Sequence, residues 1–236
     1  RQLMKKFNNI VFFTGAGMSA ESGIHTYRGK GGTWEEYNWE EVACQTAFEN
    51  NPLKVLKFHE SRREEALNAN PHDGHLIIQY IQKKVKETNI ITQNIDGMHQ
   101  RSSTSNILEL HGSLWRLRCN NDQTLIEDMN RANYKTMKCK CGNWLRPDIV
   151  WFQDVLNNKV MEKASRLIND CDLFISVGTS GVVWPAAGFI ELASAGGAFC
   201  IDINPENTIF SNLYDKRIKV KASEGLKILL EYLSFS

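Results

Sequence analysis

The chain has no long apolar run. The uninterrupted apolar stretch near its start, Ile10–Phe13, is four residues, against the roughly 20 needed to span a bilayer and the roughly 7–15 of a secretory h-region. Neither a membrane span nor a leader is therefore expected. No charge of one sign dominates: 28 Lys and Arg face 27 Asp and Glu, for a formal charge of +1. Without a block of like charge, neither a nucleic-acid groove nor an anionic membrane surface is implied. Internal repeats and low-complexity segments are also missing. There is no Met at the first position; the chain starts at Arg1, and a stretch of native N-terminus is expected to precede it. Cysteine is sparse. Of the six, Cys171 and Cys200 sit in apolar strand-like segments and read as small buried hydrophobes. A reducing, cytoplasmic setting is the default expectation.

What is present is enough for a sizeable core: 236 residues, 42% of them hydrophobic. Four apolar runs, NIVFFTG, NIITQN, LFISVGTS and AFCIDINP, end in Gly, Asn, Asp or Ser. Helix-like stretches such as NPLKVLKFHESRREEAL and NNKVMEKASRLIND lie between them. Strands that alternate with helices and lack a two-residue polar alternation predict an α/β fold, a Rossmann-like parallel sheet covered on both faces. Ligands of such sheets bind beyond the carboxyl ends of the strands. Residues 113–150 are polar, carry three of the six cysteines and lack the alternating pattern, so they read as a small inserted module. Residues 30–75, rich in Trp, Glu and helix formers, read as a second, helical insertion. The expected main domain is then 1–29, 76–112 and 151–236.

The first strand runs into Gly15-Ala16-Gly17-Met18-Ser19-Ala20, a G-x-G-x-x-A turn of the type that lets backbone approach a pyrophosphate at a helix N-terminus. By itself it is also compatible with a bare structural turn. The acidic residue expected about 20 positions later at the end of a second strand is missing, because SGIHTYRGKGGTWEEY is loop chemistry. Hydride transfer in the usual arrangement is therefore not expected. The second polar cluster is TQNIDGMHQRSSTSNILELHGS, where Gln93, Asn94 and Asp96 follow a strand end and His111 follows an apolar run. Taken singly, Asn94 and Asp96 are equally readable as turn or cap residues and His111 as a structural histidine.

Six motifs, GAGMSAESGIHTYRG, TQNIDGMH, LHGS, RPDIVWFQD, GTSGVVWPAA and IDINPE, occur in this order over nearly the whole chain. Together they resemble the sirtuins, NAD-dependent protein lysine deacylases, and among them the bacterial deacetylase/desuccinylase type. The resemblance implies a Rossmann-like domain, a smaller and often zinc-bearing module, and a cleft between them for NAD and an acyl-lysine protein or peptide. It places Gly15, Ala16, Gly17 and Ser19 at the pyrophosphate and Tyr27 and Arg28 on a loop over the cofactor. Gln93, Asn94, Ile95 and Asp96 fall at the nicotinamide and its ribose, with Asp96 on the carboxamide. Gly178, Thr179, Ser180 and Asn204 fall at the phosphates and adenosine ribose, and Ala222 near the adenine. His111 is implied as general base, with Asn94 and Asp96 beside it in catalysis: the acyl oxygen attacks the ribose C1′ as nicotinamide leaves, and His111 then takes a proton from a ribose hydroxyl. An unperturbed histidine pKa of about 6.5 suits that task. Val150, Trp151, Phe152 and Val182, with Ile149 and Gly181, match segments that pair with an extended substrate backbone.

The chain departs from that pattern twice. Zinc-bearing relatives have two C-x-x-C pairs, whereas this chain has Cys119 and Asp122, then Cys139 and Cys141, with Lys138 where the third cysteine is expected. Carboxylate can bind zinc, but a C-x-C spacing and a nearby lysine predict that zinc has been lost and that the module is held by packing. The second departure is at the Tyr and Arg, three apart, that grip acidic acyl groups; here the positions hold His59 and Arg62. Arg62 suits a bidentate carboxylate contact, and both deacetylation and removal of succinyl or malonyl groups are expected. Alternative readings are protein mono-ADP-ribosyl transfer, which uses the same activated ribose, and a non-catalytic NAD-sensing module. A monomer is the default expectation.

Overall fold

The computed structural model describes residues 7–28, 30–182, 184 and 186–233. In chain order the elements are β1 (Asn9–Thr14), α1 (Ala16–Ala20), α2 (Thr33–Glu36), α3 (Trp39–Val42), α4 (Gln45–Asn50), α5 (Pro52–Asn68) and α6 (Asp73–Lys84). Then follow β2 (Glu87–Thr92), α7 (Met98–Arg101), β3 (Ile107–Glu109), β4 (Gly112–Cys119), β5 (Leu125–Glu127) and β6 (Leu145–Ile149). The chain closes with α8 (Asn158–Asn169), β7 (Leu173–Val177), α9 (Phe189–Ala195), β8 (Phe199–Ile203), β9 (Lys216–Ile218) and α10 (Ala222–Leu233). No helix among the described residues is long and apolar enough to cross a membrane.

Six strands form one sheet in the order β3-β2-β1-β7-β8-β9, and every pair in it is parallel. The four apolar runs of the sequence are its four central strands. Alternate residues of β1 point to opposite faces: Ile10 and Phe12 join one core with α6 and α10, while Val11 and Phe13 join another with α8 and α9. Cys171 and Cys200 are buried in the second core, as their apolar surroundings predicted. From β1 the chain builds outward in one direction through β2 and β3, and later in the other through β7, β8 and β9. The β1/β7 boundary is thus the switch point at which such sheets open a crevice.

Register makes that crevice useful. Thr14 pairs with both Thr92 and Val177, and Val177 pairs with Ile203. The next residue of each strand, Gly15, Gln93, Gly178 and Asn204, therefore stands in one row along the carboxyl edge.

The helical segment and the small module, expected as two separate insertions, share a single core. Val55, Leu56 and Phe58 of α5 pack with Leu114, Leu117 and Leu145 of the three-stranded antiparallel sheet β5-β4-β6 and with Trp151 just beyond β6. At its centre lies Arg63, fully buried. Its guanidinium donates to the carbonyls of Leu114 (2.7 Å) and Asp128 (2.8 Å) and to the Asp128 carboxylate (3.1 Å), and its Cζ lies 4.1 Å from the Tyr134 ring centroid. A buried cation survives only when its donors are matched in this way.

Three histidines are also buried. His59 donates from Nδ1 to the Val55 carbonyl and accepts at Nε2 from Trp151; burial holds its pKa at about 4. Burial likewise holds His99 at about 4 and His75 at about 2. All three are neutral in the folded protein. As pH falls below about 6.5 the unfolded chain takes up protons that these residues refuse, so stability is full above that pH and is lost on acidification. Each adds a slope of up to about 1.4 kcal/mol per pH unit. Urea unfolding between pH 7 and 4.5 is expected to show stability falling with pH, with a slope approaching about 4 kcal/mol per unit for the three together. A flat profile would mean that the burial does not govern their titration.

Candidate active site

The G-x-G turn is built by contact between two strand ends. The Gly15 N–H donates to the Val177 carbonyl (3.0 Å) and the Gly17 N–H to the Gly178 carbonyl (2.9 Å). A Cβ on Gly15 would lie 2.7 Å from the Gly178 oxygen and one on Gly17 2.7 Å from the Gly178 Cα. Gly178 has a φ of +62°, and a Cβ there would come within 2.4 Å of the Met18 nitrogen. Only three glycines fit, and together they leave the sheet edge bare of side chains. That is the shape a pyrophosphate needs.

Beside them, Asn94 donates to the Gly15 carbonyl (2.8 Å) and to Ser19 Oγ (3.2 Å), and Ser19 Oγ donates to Asp96 Oδ2 (2.6 Å). The other Asp96 oxygen accepts the Met98 N–H (2.9 Å), and the Asp96 carbonyl accepts from Trp115 Nε1 (2.8 Å). Burial raises the Asp96 carboxyl above its ordinary pKa. Behind this cluster the Thr14 hydroxyl donates to Thr92 Oγ1 (2.8 Å), which also accepts the Asn94 N–H (3.1 Å). With its proton spent, the Thr14 oxygen accepts from His99 Nε2 (3.0 Å). Thr14, Thr92 and His99 were not singled out in the sequence; strand-end threonines look like ordinary β residues there.

His111 stands across the Gln93 backbone. Its Nδ1 lies 3.0 Å from the Gln93 carbonyl oxygen, which only accepts, so Nδ1 carries the proton and Nε2 keeps its lone pair. Burial lowers its pKa, and the bond to Gln93 opposes this only in part. The next residue, Gly112, has a φ of +78°, and a Cβ there would sit 1.9 Å from the Asp148 carbonyl oxygen. The His111 carbonyl accepts the Val150 N–H (2.9 Å). His111 is thus fixed where β4 crosses β6, between the large sheet and the small module.

Ala16, Ser19, Tyr27, Asn94 and Asp96 line one cavity of about 20 Å³, room for little more than a water molecule. The segment carrying Tyr27 and Arg28 closes it. Glu65 of α5 holds that segment, accepting the His25 N–H (2.7 Å) and pairing with Arg62 (2.5 Å), and Arg62 donates to the His25 carbonyl (3.2 Å). Under the same segment lies a wider cleft of about 440 Å³ between Tyr27, Arg28, Trp34, Trp39 and Phe152.

At the β8 end of the row, Asn204 donates to the Thr179 carbonyl (2.6 Å), while Ser223, next to Ala222 at the start of α10, is bonded to Glu21 through N–H and hydroxyl (2.8 Å each). Ser180 and Val182 are exposed beyond Thr179. Phe152 faces the cleft, but the Trp151 side chain does not: it is core, with Arg146 Cζ 3.6 Å from its ring centroid. The backbone N–H groups of Val150, Trp151 and Phe152 already bond His111, Asp154 and Ala43.

His59 is a correction. Both its ring nitrogens are used inside the core, so neither is directed at an acyl carboxylate, and only Arg62 of that pair reaches the cavity. The four metal candidates lie together in the small module. One ligand atom each from Cys119, Asp122, Cys139 and Cys141 lies within 4.8 Å of all the others, and Lys138 turns its ammonium onto the Trp144 ring, 3.8 Å from the centroid.

Comparison with known proteins gives a match to the Sir2 family over residues 15–185. An NAD-dependent protein deacylase of Aquifex aeolicus is 42% identical over 233 residues, covering 95% of each chain. The NAD-dependent protein deacylase sirtuin-5, mitochondrial, of Canis lupus familiaris is 36% identical, covering 91% of this chain and 78% of its own. A crystal structure of a Sir2 homolog–NAD complex superposes with a TM-score of 0.89 at 37% identity, over 98% of this chain and 91% of that one.

Gly112→Ala is expected to cost more stability than Gly23→Ala, whose φ of +89° is similar but whose Cβ would meet nothing within 4 Å. Strain at positive φ costs about 1–3 kcal/mol in both. The excess in Gly112→Ala, read by denaturant unfolding, measures the collision with Asp148; equal losses would show that the crossing yields freely.

Proposed function

Because the chain belongs to the Sir2 family, we propose that it is an NAD-dependent protein lysine deacylase that takes acylated proteins as substrates and uses His111 as its base. The observation that carries the proposal is the row along the carboxyl edge of the sheet. At it stand a side-chain-free floor at Gly15, Gly17 and Gly178, an amide-and-acid pocket at Asn94 and Asp96 beside that floor, and, across the Gln93 backbone, an imidazole with a free Nε2.

The residues fit the dinucleotide. Gly15, Ala16, Gly17 and Gly178 give backbone room for the phosphates. Asn204, Thr179, Ser180 and Ala222 stand at the adenosine end. Gln93, Asn94, Ile95 and Asp96 border the nicotinamide end, where Ser19 and the Met98 N–H orient the Asp96 carboxylate. NAD, when bound, supplies an electrophilic ribose carbon with nicotinamide as its leaving group. Entry requires the Tyr27–Arg28 segment to lift, because the cavity beneath it is water-sized as it stands.

His111 does the proton work. Its Nδ1–H stays on the Gln93 carbonyl, which fixes the ring and leaves Nε2 to accept a proton from a ribose hydroxyl. Burial keeps the ring uncharged at neutral pH, the form a base requires. The exposed Val182 and the half-buried Phe152 border the path for the acyl-lysine peptide. Arg62 is the candidate for an acidic acyl group, with Glu65 as the partner it would have to leave. We place the enzyme in a reducing, cytoplasmic compartment as a monomer.

Incubation with NAD and acetyl-lysine or succinyl-lysine peptides, followed by mass spectrometry, tests this. Acyl-dependent release of nicotinamide with O-acyl-ADP-ribose is expected. His111→Ala should lose about 10²–10⁴-fold, and the acid limb of kcat/KM should fall below pH 6.5. ADP-ribose on protein with no acyl product would select ADP-ribosyl transfer instead.

A further inference from the structure

The edge strand β9 carries a charge into the interior. It pairs with β8 in a register that sets Arg217 beside Asp202 and Ile218 beside Ile203. The Asp202 side chain is 1% exposed. Its Oδ2 accepts from Arg217 Nε (3.2 Å), and its Oδ1 has no hydrogen-bond partner among the described residues. Such a pair is a poor way to fill a core. The desolvation of two charges is often not offset by their attraction, an unmatched buried oxygen adds to the cost, and apolar residues of similar volume are often at least as stable. What the pair supplies instead is direction.

The other two nitrogens of the Arg217 fork point out of the sheet. Nη1 donates to Asn207 Oδ1 (2.6 Å) and Nη2 to the Glu206 carbonyl (3.0 Å). Asp202 holds Nε and so fixes the plane of the guanidinium, and a residue of β9 grips the loop that leaves β8. The bonds continue along that loop. The Glu206 N–H donates to Asn204 Oδ1 (3.1 Å), and Asn204 Nδ2 donates to the Thr179 carbonyl (2.6 Å). The Asn204 N–H is held by the Ile218 carbonyl (3.2 Å), next to Arg217 on β9. Thr179 follows Gly178, whose N–H donates to the Ile203 carbonyl (3.0 Å). A continuous path thus runs from the buried carboxylate through Arg217 and Asn204 to the glycine floor.

We propose that Arg217 and Asp202 are positioning residues for the cofactor, setting the loop 204–207 so that Asn204 and Thr179 receive the adenosine half of NAD. This rests on the reading given above, in which the row along the sheet edge holds NAD with its adenosine at Asn204. Neither residue touches the reacting atoms, which belong to the other end of the row at Asn94, Asp96 and His111. Their effect therefore falls on cofactor binding and not on the chemical step. A loop left loose must be ordered as the ligand binds, which weakens affinity; Arg217 orders it beforehand.

Arg217→Lys keeps a cation beside Asp202 but replaces a planar fork with a point charge that cannot serve Glu206 and Asn207 together. Its Tm is expected to stay close to that of the unaltered protein, while ADP-ribose, titrated calorimetrically, binds on the order of tenfold more weakly. With an acetyl-lysine peptide, the KM for NAD should rise by a similar factor and kcat should not change. Asp202→Leu combined with Arg217→Met removes both charges at once and is expected to lose the same affinity without losing stability. Unchanged ADP-ribose binding in this paired variant would overturn the proposal, as would a loss of kcat in place of NAD affinity. A paired variant that fails to fold would make the pair structural and overturn it too. Unaltered protein that binds ADP-ribose but releases no nicotinamide with acyl peptides would remove the deacylase reading and leave this inference standing; protein that binds no ADP-ribose would remove both.

Discussion

The buried guanidinium of Arg63 sets how α5 and the small module meet. Arg63 projects from α5 into the small module, and its donors are met by the Leu114 and Asp128 carbonyls and the Asp128 carboxylate. The arrangement is stringent because a cation without those acceptors would carry a desolvation cost of several kcal/mol. Once Arg63 is seated, α5 is fixed against β4, and its neighbours follow. Arg62 is turned to the cavity, Glu65 to the segment above it, and His59 to Trp151. Leu114, whose carbonyl takes the Arg63 bond, also donates its N–H to Ile95 (2.9 Å), so the same anchor reaches the amide-and-acid pocket.

The large sheet supplies a complementary constraint. Parallel register carries Gly15, Gln93, Gly178 and Asn204 to one level, and the glycine contacts between β1 and β7 leave no freedom to shift them. His111 belongs to neither half alone. Its ring is held by the Gln93 carbonyl from the sheet and its backbone by Val150 from the module. His111 is therefore placed by the seam itself, and its tautomer, with Nε2 unprotonated, follows from the same carbonyl.

Much of this was legible in the chain. The central strands announced themselves because residues buried on both faces leave unbroken Val, Ile and Phe runs, and their polar ends marked the site edge. The edge strands β3 and β9, three residues each, were too short to show a pattern. That α2–α5 and the small module form one core was not readable, since it depends on contacts between residues far apart in sequence. His59 illustrates a subtler limit. Two helix positions three apart share a face, but spacing does not say which of them turns inward; on α5 the buried stripe through Val55, His59, Arg63 and Ala66 takes the histidine and leaves Arg62 at its margin. The closeness of Cys119, Asp122, Cys139 and Cys141 was likewise not readable, because the turn that brings the last two to the first depends on the glycine that follows them, Gly142.

The shared core has a consequence for taking the molecule apart. The helical segment and the small module contribute to one apolar cluster, and Arg63 belongs to one while its acceptors belong to the other. Severed fragments would each expose half an interior. Chimeras with relatives will therefore work only if both segments are exchanged together.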